Sequence, residues 1–179
     1  MRAVLAYFLL VALTGIALAQ TPEKTVKQLY ETHQKLDMVE RTVEACKASF
    51  TPEFLRLIRR AANIPAGSEN GWLDYDIFCD SQAGWYGFEV HRAYYADNYA
   101  VVPVTLYSGR WPEVNNPKDM AEVRSKVPPH PARIHLVDLG QGYQIYDIEF
   151  LPSQYKLNGK LQKIDGHRVR QNLRRITRN

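Results

Sequence analysis

The spacing of apolar and polar positions along this 179-residue chain changes twice, and each change marks a change of element. Val26, Leu29, Tyr30, His33 and Leu36 recur at helical spacing, which predicts a helix with one buried face. Its start is written in Thr21-Pro22-Glu23: a hydroxyl to cap, a proline where no N–H is needed and an acid in the first turn. Thr51-Pro52-Glu53 repeats that start ahead of Phe54, Leu57, Ile58, Ala61 and Ala62, so a second helix is predicted to end before Asn63-Ile64-Pro65. Between the two, Met38 to Phe50 reads as helical in part.

Beyond Trp85 the period drops to two. Tyr86, Phe88, Val90 and Tyr94 alternate with Gly87, Glu89, His91 and Ala93, the pattern of a strand with one buried face. A turn then leads into the almost wholly apolar run Tyr99 to Tyr107. Pro103 within it cannot donate a ladder hydrogen bond and points to an edge position or a bulge. Ser108 to Pro131 is a long proline-rich connection in which Asn116-Pro117-Lys118-Asp119 can cap a short helix bearing Met120, Val123 and Val127. Arg133 to Leu139 and Tyr143 to Phe150 read as strands joined at Gly140-Gln141-Gly142, a hairpin signal. Asp165 to Ile176 reads as a basic helix with Val169, Leu173 and Ile176 on one stripe. Helices first and then at least four strands in hairpin-like pairs is the order of an α+β domain, N-terminal helices on a curved antiparallel sheet.

The first residues add a compartment. Arg2, an apolar run from Ala3 to Leu13 and the small-x-small site Ala17-Leu18-Ala19 read as a signal peptide over residues 1 to 19, cleaved after Ala19. The mature chain is therefore expected to be secreted or periplasmic, with one domain over residues 20 to 151 and a basic, helical segment over 152 to 179. In an oxidising compartment the only two cysteines, Cys46 and Cys79, are expected to form a disulfide contributing roughly 3 to 4 kcal/mol.

Charge separates the tail from the body. From Tyr155 onward eight Lys and Arg stand against the single acid Asp165, while residues 20 to 154 carry 14 basic and 18 acidic side chains. Arg168, Arg170, Arg174, Arg175 and Arg178 form a basic patch beside the apolar stripe. The helix can dock by that stripe or make weak contact with an anionic surface. No nucleic-acid partner is expected, because an exported protein seldom meets one and no aromatic stands among these arginines to stack bases.

Candidate chemistry concentrates between Gly71 and Phe88, where Trp72, Tyr75, Phe78, Trp85, Tyr86 and Phe88 accompany Asp74, Asp76, Asp80, Gln82 and Cys79. Four oxygen-bearing side chains so close together suit calcium, but Phe78 stands where an EF-hand ligand belongs and no distal glutamate follows. The same acids can instead cap turns while the aromatics anchor the core. The five histidines show neither HxH nor HExxH spacing, although His91 and His135 lie on predicted strands and could meet across a sheet. No nucleophile elbow, phosphate loop or dinucleotide fingerprint is present. Asp76, His91, Tyr30, Tyr99 and Asp147 are the groups from which acid–base chemistry could be assembled, without spacing that brings any two together. No cofactor and no metal are expected.

The helix carrying Tyr30, the segment FTPEFLRLIRRA, the segment DYDIFCDSQ and the closing GYQIYDIEF together resemble a group of exported bacterial domains of unknown function. Those domains are related to the nuclear-transport-factor-2-like, cystatin-like cone. Their central segment typically reads Asp-x-Asp-Pro-[Phe/Leu]-x-x-Ala-Gln-Asp, and their last strand Trp-x-Ile-x-x-Ile. Asp74, Asp76, Phe78 and Gln82 match, whereas Ile77, Ser81, Ala83 and Tyr143 depart from the pattern. The resemblance covers roughly residues 22 to 151. It implies helices wrapped by a curved sheet around a cone-shaped pocket, and it implies no activity.

The expectation is a non-catalytic binding protein for an unknown small molecule or protein, with Tyr30, Trp72, Asp74, Asp76, Gln82 and Trp85 lining an aromatic cone. Two alternatives stand beside it. One is a protein-interaction or inhibitor module using the 108 to 131 loop and the basic tail; the other is a hydrolase or isomerase with an acid/Tyr or acid/His pair in the cone. An apolar open cone favours the first, a filled one the interaction module, and a buried acid–histidine or acid–tyrosine pair the enzyme.

Overall fold

The computed structural model describes residues 20–64, 76–81, 85–109, 119–157 and 160–177. The chain is α+β, with its N-terminal helices preceding a six-stranded antiparallel sheet. Helix α1 (Pro22–Leu36) begins where Thr21 accepts the Lys24 N–H, and it buries Val26, Leu29, Tyr30 and His33. Helix α2 (Val39–Ala45) and a 3-10 turn (Lys47–Ser49) lead to α3 (Pro52–Ala62), capped in the same way by Thr51 on the Phe54 N–H. Both proline starts behave as their spacing predicts.

The sheet comprises β1 (Trp85–Val90), β2 (Tyr94–Ala96), β3 (Tyr99–Ser108), β4 (His130–Asp138), β5 (Tyr143–Phe150) and, after a hairpin of β6 (Ser153–Leu157) and β7 (Lys160–Ile164), the two-residue β8 (His167–Arg168). Its order is β1-β3-β4-β5-β8, with β2 also pairing β3. Pro103 therefore stands in a central strand rather than at an edge. The conflict is resolved by the partner: β1 ends opposite Val104 and β2 begins opposite Val101, so the missing N–H falls where the neighbouring strand is interrupted. At the β4–β5 turn Gly140 and Gly142 take positive φ, and Asp138 Oδ1 accepts both of their N–H groups.

One face of the sheet carries Ala100, Val102, Val104, Leu106, Ile134, Leu136, Ile145 and Ile148 into a core shared with Val26, Leu29, Tyr30, Phe54 and Ile58. The opposite face is covered at one end by α4 (Met120–Lys126), where Tyr107, Val123 and Val127 form a smaller core with Tyr86 and Met120. At the other end of that face Tyr94 and Tyr99 are 70% and 48% exposed.

The C-terminal segment folds differently from the helix expected of it. Ser153–Leu157 and Lys160–Ile164 pair antiparallel as β6 and β7, and among the described residues of this segment α5 (Val169–Ile176) alone is helical. Val169 and Leu173 enter the main core, between α3 and β5. The basic helix thus docks by its apolar stripe. Among the described residues no helix is long and apolar enough to cross a membrane.

Candidate functional site

The six residues Asp76 to Ser81 reach α1 through one acid and β4 and β8 through the other. The segment closes on itself, with Asp76 and Ser81 bridged by the Asp76 N–H to the Ser81 carbonyl and the Asp80 N–H bonded to the Asp76 carbonyl. Asp76 Oδ1 accepts the Phe78 N–H at 2.8 Å, so this acid shapes its own turn, and Asp80 sits at φ 52°, a left-handed conformation that Asp tolerates well. Ile77, Phe78 and Cys79 are buried. The turn is held to α1 from below: Tyr30 Oη donates to the Phe78 carbonyl at 3.0 Å.

The two acids point at different histidines. Asp76 Oδ2 lies 2.6 Å from Nε2 of the fully buried His33, whose Nδ1 lies 3.0 Å from Thr42 Oγ1. The Cys79 thiol faces the same carboxylate. Burial, followed by the negative charge and hydrogen bonding of Asp76, pushes that thiol far above the ordinary range. Asp80, in turn, has His130 Nε2 at 3.7 Å and His167 Nε2 at 3.4 Å, with both imidazoles against the Phe150 ring at centroid distances of 5.5 and 5.1 Å. Burial raises the Asp80 carboxyl although both histidines act to lower it, and burial lowers His130 although Asp80 acts to raise it. Gly166 is what lets β8 approach: a Cβ there would stand 2.8 Å from the Phe150 carbonyl oxygen.

Around His33 the aromatic interior is occupied by its own side chains. Phe78 and Trp85 lie 5.1 and 5.2 Å from the imidazole, Tyr30 stacks on Phe88 at 5.3 Å, and Phe50 stacks on Phe78 at 6.2 Å. Tyr30 and Trp85, expected to contact a ligand, are members of this packing, and burial raises the Tyr30 phenol well above its usual range. Asp76 is the third predicted ligand residue in this region. Trp72, Asp74 and Gln82 lie outside the described residues.

The expected disulfide is absent. Cys46 and Cys79 are separate, buried thiols. Each is turned to different partners: Cys46 at the end of α2 bonds to Thr32 on α1, whereas Cys79 faces Asp76 and the Ser81 backbone within its own turn. An even pair behind a signal sequence suggests a bridge, but in this fold the two thiols are turned to different neighbours and are not bonded.

The arginines divide as well. Arg168 pairs with Asp147 at 3.4 Å and Glu149 at 3.3 Å, and Glu53 takes both Arg170 and, at 2.6 Å, Arg174. Arg175 is exposed, and Arg178 lies outside the described residues. Arg168, Arg170, Arg174 and Arg175 line an open groove of about 770 Å3 with Tyr146, Gln171 and Asn172. Tyr146 connects the groove to the bare end of the sheet: the Arg170 guanidinium lies 5.8 Å from its ring centroid, Tyr99 also 5.8 Å, and His135 5.9 Å. A second groove of about 770 Å3 runs past Gln20, Gln28, Cys46 and Tyr143.

His91 and His135 do not meet. His91 Nε2 bonds to Thr105 Oγ1 at 2.8 Å and His135 Nε2 to Glu149 at 2.9 Å. Asp147 is committed to the N-terminus of α5, where it accepts the Arg170 N–H and pairs with Arg168. Of the acid–base candidates, Asp76 stands at the core against two titratable partners, His33 and the Cys79 thiol. The signal of His33 in the sequence was a histidine on the buried stripe of an amphipathic helix, a position that demands a polar neighbour. The chain matches no family model, no curated protein and no solved structure.

Proposed function

We propose that the chain is an exported, non-catalytic binding protein that engages a partner protein through the outer side of its sheet. Tyr94, Tyr99 and Tyr146, continued by Arg170 and Arg175, form the contact surface. The observation that carries this reading is the exposure of Tyr94 and Tyr99, 70% and 48%, on a face that α4 covers only at its other end. Tyrosine and arginine are the residues that most often dominate the energy of protein interfaces. The mutual packing of Tyr30, Phe50, Phe78, Trp85 and Phe88 around His33 supports surface binding over a ligand held in an aromatic cone. It also argues against catalysis by the acid–histidine pair, since His33 has no solvent-accessible surface through which a substrate could reach Nε2.

Export after Ala19 and the kinship with the cone-type exported domains belong to the same reading, supported by the leader sequence and by the Asp-x-Asp segment. The test uses mature chain immobilised and exposed to envelope extract of the native host. A partner should be retained by the wild type and by Tyr30→Phe, and lost with Tyr94→Ser/Tyr99→Ser. Retention unaffected by the surface pair, or lost with Tyr30→Phe in a chain of unchanged melting temperature, would overturn it.

A further inference from the structure

The hydrogen-bonding arithmetic at His33 leaves one lone pair without a proton to face. Thr42 Oγ1 donates its single proton to the Met38 carbonyl at 2.8 Å, so toward His33 it can only accept. Nδ1, 3.0 Å away, must therefore carry the imidazole proton. In the neutral ring Nε2 is then a bare lone pair, fully buried, making no aligned hydrogen bond although Asp76 Oδ2 lies 2.6 Å away. The Asp76 carboxylate at that distance calls for a positive charge at Nε2, which either a proton or a metal cation supplies. The third group at the same point is the Cys79 thiol, and the donor atoms of His33, Asp76 and Cys79 all lie within 4.8 Å of one another.

We propose that His33 Nε2, Asp76 Oδ2 and Cys79 Sγ bind a borderline divalent cation, with Zn2+ the ion that fits the donor set. One imidazole nitrogen, one carboxylate oxygen and one thiolate sulfur are its usual protein ligands, at about 2.0 to 2.3 Å. Donors around such an ion stand about 3.3 to 3.8 Å apart, so the carboxylate swings away from Nε2 by less than about 1 Å to admit it. Binding expels the Cys79 proton to solvent. The ion's two positive charges are then matched by one thiolate and one carboxylate, leaving the buried site neutral. Thr42 is the outer partner that fixes the tautomer. Asp76, whose side chain is 21% exposed, marks the side from which the ion and a fourth, water ligand arrive. The proposal is independent of the docking surface on the far face of the sheet.

The test uses the reduced mature chain and Co2+ as a spectroscopic substitute, added both to folded protein and during refolding, so that slow access cannot hide a site. One Co2+ per chain with a thiolate-to-metal charge-transfer band is expected, displaced by Zn2+, retained in Cys46→Ser and abolished in Cys79→Ser. Thr42→Val keeps every ligand and should weaken binding about 10- to 100-fold, an effect that a purely structural threonine would not have. Zn2+ should also raise the melting temperature of the wild type in a concentration-dependent way, which is readable even if Cys79→Ser does not fold. No thiolate band in either regime, a band surviving Cys79→Ser, or a melting temperature indifferent to Zn2+ would overturn the assignment.

Discussion

The carboxylate of Asp147, in the middle of β5, accepts the backbone N–H of Arg170 at 2.9 Å and so caps a helix to which it does not belong. Arg168, which holds the cap position of α5, offers no side-chain acceptor, and the buried Asp147 supplies one while pairing with the Arg168 guanidinium at 3.4 Å. Asp147→Ala should cost about 1 to 3 kcal/mol in chemical denaturation, because it leaves the Arg170 N–H without its acceptor, while the exposed Arg168 guanidinium keeps Glu149. Asp147→Asn, which keeps an acceptor, should cost less.

The same docking makes the basic tail part of the core. Leu173→Ala should cost about 2 to 5 kcal/mol, with the loss the same at low and high salt, since the seam is apolar. A variant that melts with the wild type would place α5 off the domain.

Phe78 is fully buried against His33 and Phe50. Phe78→Ala is expected to lower unfolding free energy by about 3 to 5 kcal/mol. A loss under about 1 kcal/mol would mean that the segment 76 to 81 is not anchored in the core.

The thiols give a prediction opposite to the one their spacing suggests. In native, unreduced protein neither Cys46 nor Cys79 should react with a maleimide, both being buried, and after denaturation without reductant both should be labelled. Mass spectrometry showing no label under denaturing conditions would establish a disulfide instead.

Glu149 sets part of the acid limb of stability. Burial raises its pKa, but the hydrogen bond from His135 and the charges of Arg168, His135 and Arg133 outweigh that and hold it below the ordinary carboxylate range. A folded pKa below the unfolded one means stability present above about pH 4.3 and lost as pH falls through the lower value. Glu149→Gln should therefore cost about 1 kcal/mol or less near neutrality, the group being partly exposed, and progressively less as the carboxylate protonates in acid. A cost that persists in acid would assign the effect to packing.

What could be read from residues alone followed from how local each signal is. Thr21-Pro22-Glu23 and Thr51-Pro52-Glu53 specify helix starts through contacts within one turn, and both were legible. Alternation around Phe88 and the run from Tyr99 gave strands, but the break between β1 and β2 that accommodates Pro103 depends on a partner strand and left no local mark. The β6–β7 pairing was missed because residues 152 to 179 read as one basic, helical segment. His33 was visible on a buried stripe, whereas Asp80, His130 and His167 come from three distant segments joined only by tertiary packing. The arginines were legible as charge; their acids, Glu53, Asp147 and Glu149, were not.

Docking through the outer sheet face is tested most directly by a photo-crosslinking residue placed at Tyr99 in the full-length protein, expressed in its native host and illuminated in intact cells. Lys27, on the exposed face of α1, serves as the control position. A discrete adduct to one envelope protein is predicted at position 99, absent at position 27 and suppressed when Tyr94→Ser is added to the same chain. No discrete adduct at position 99, or the same adduct at both positions, would contradict the account.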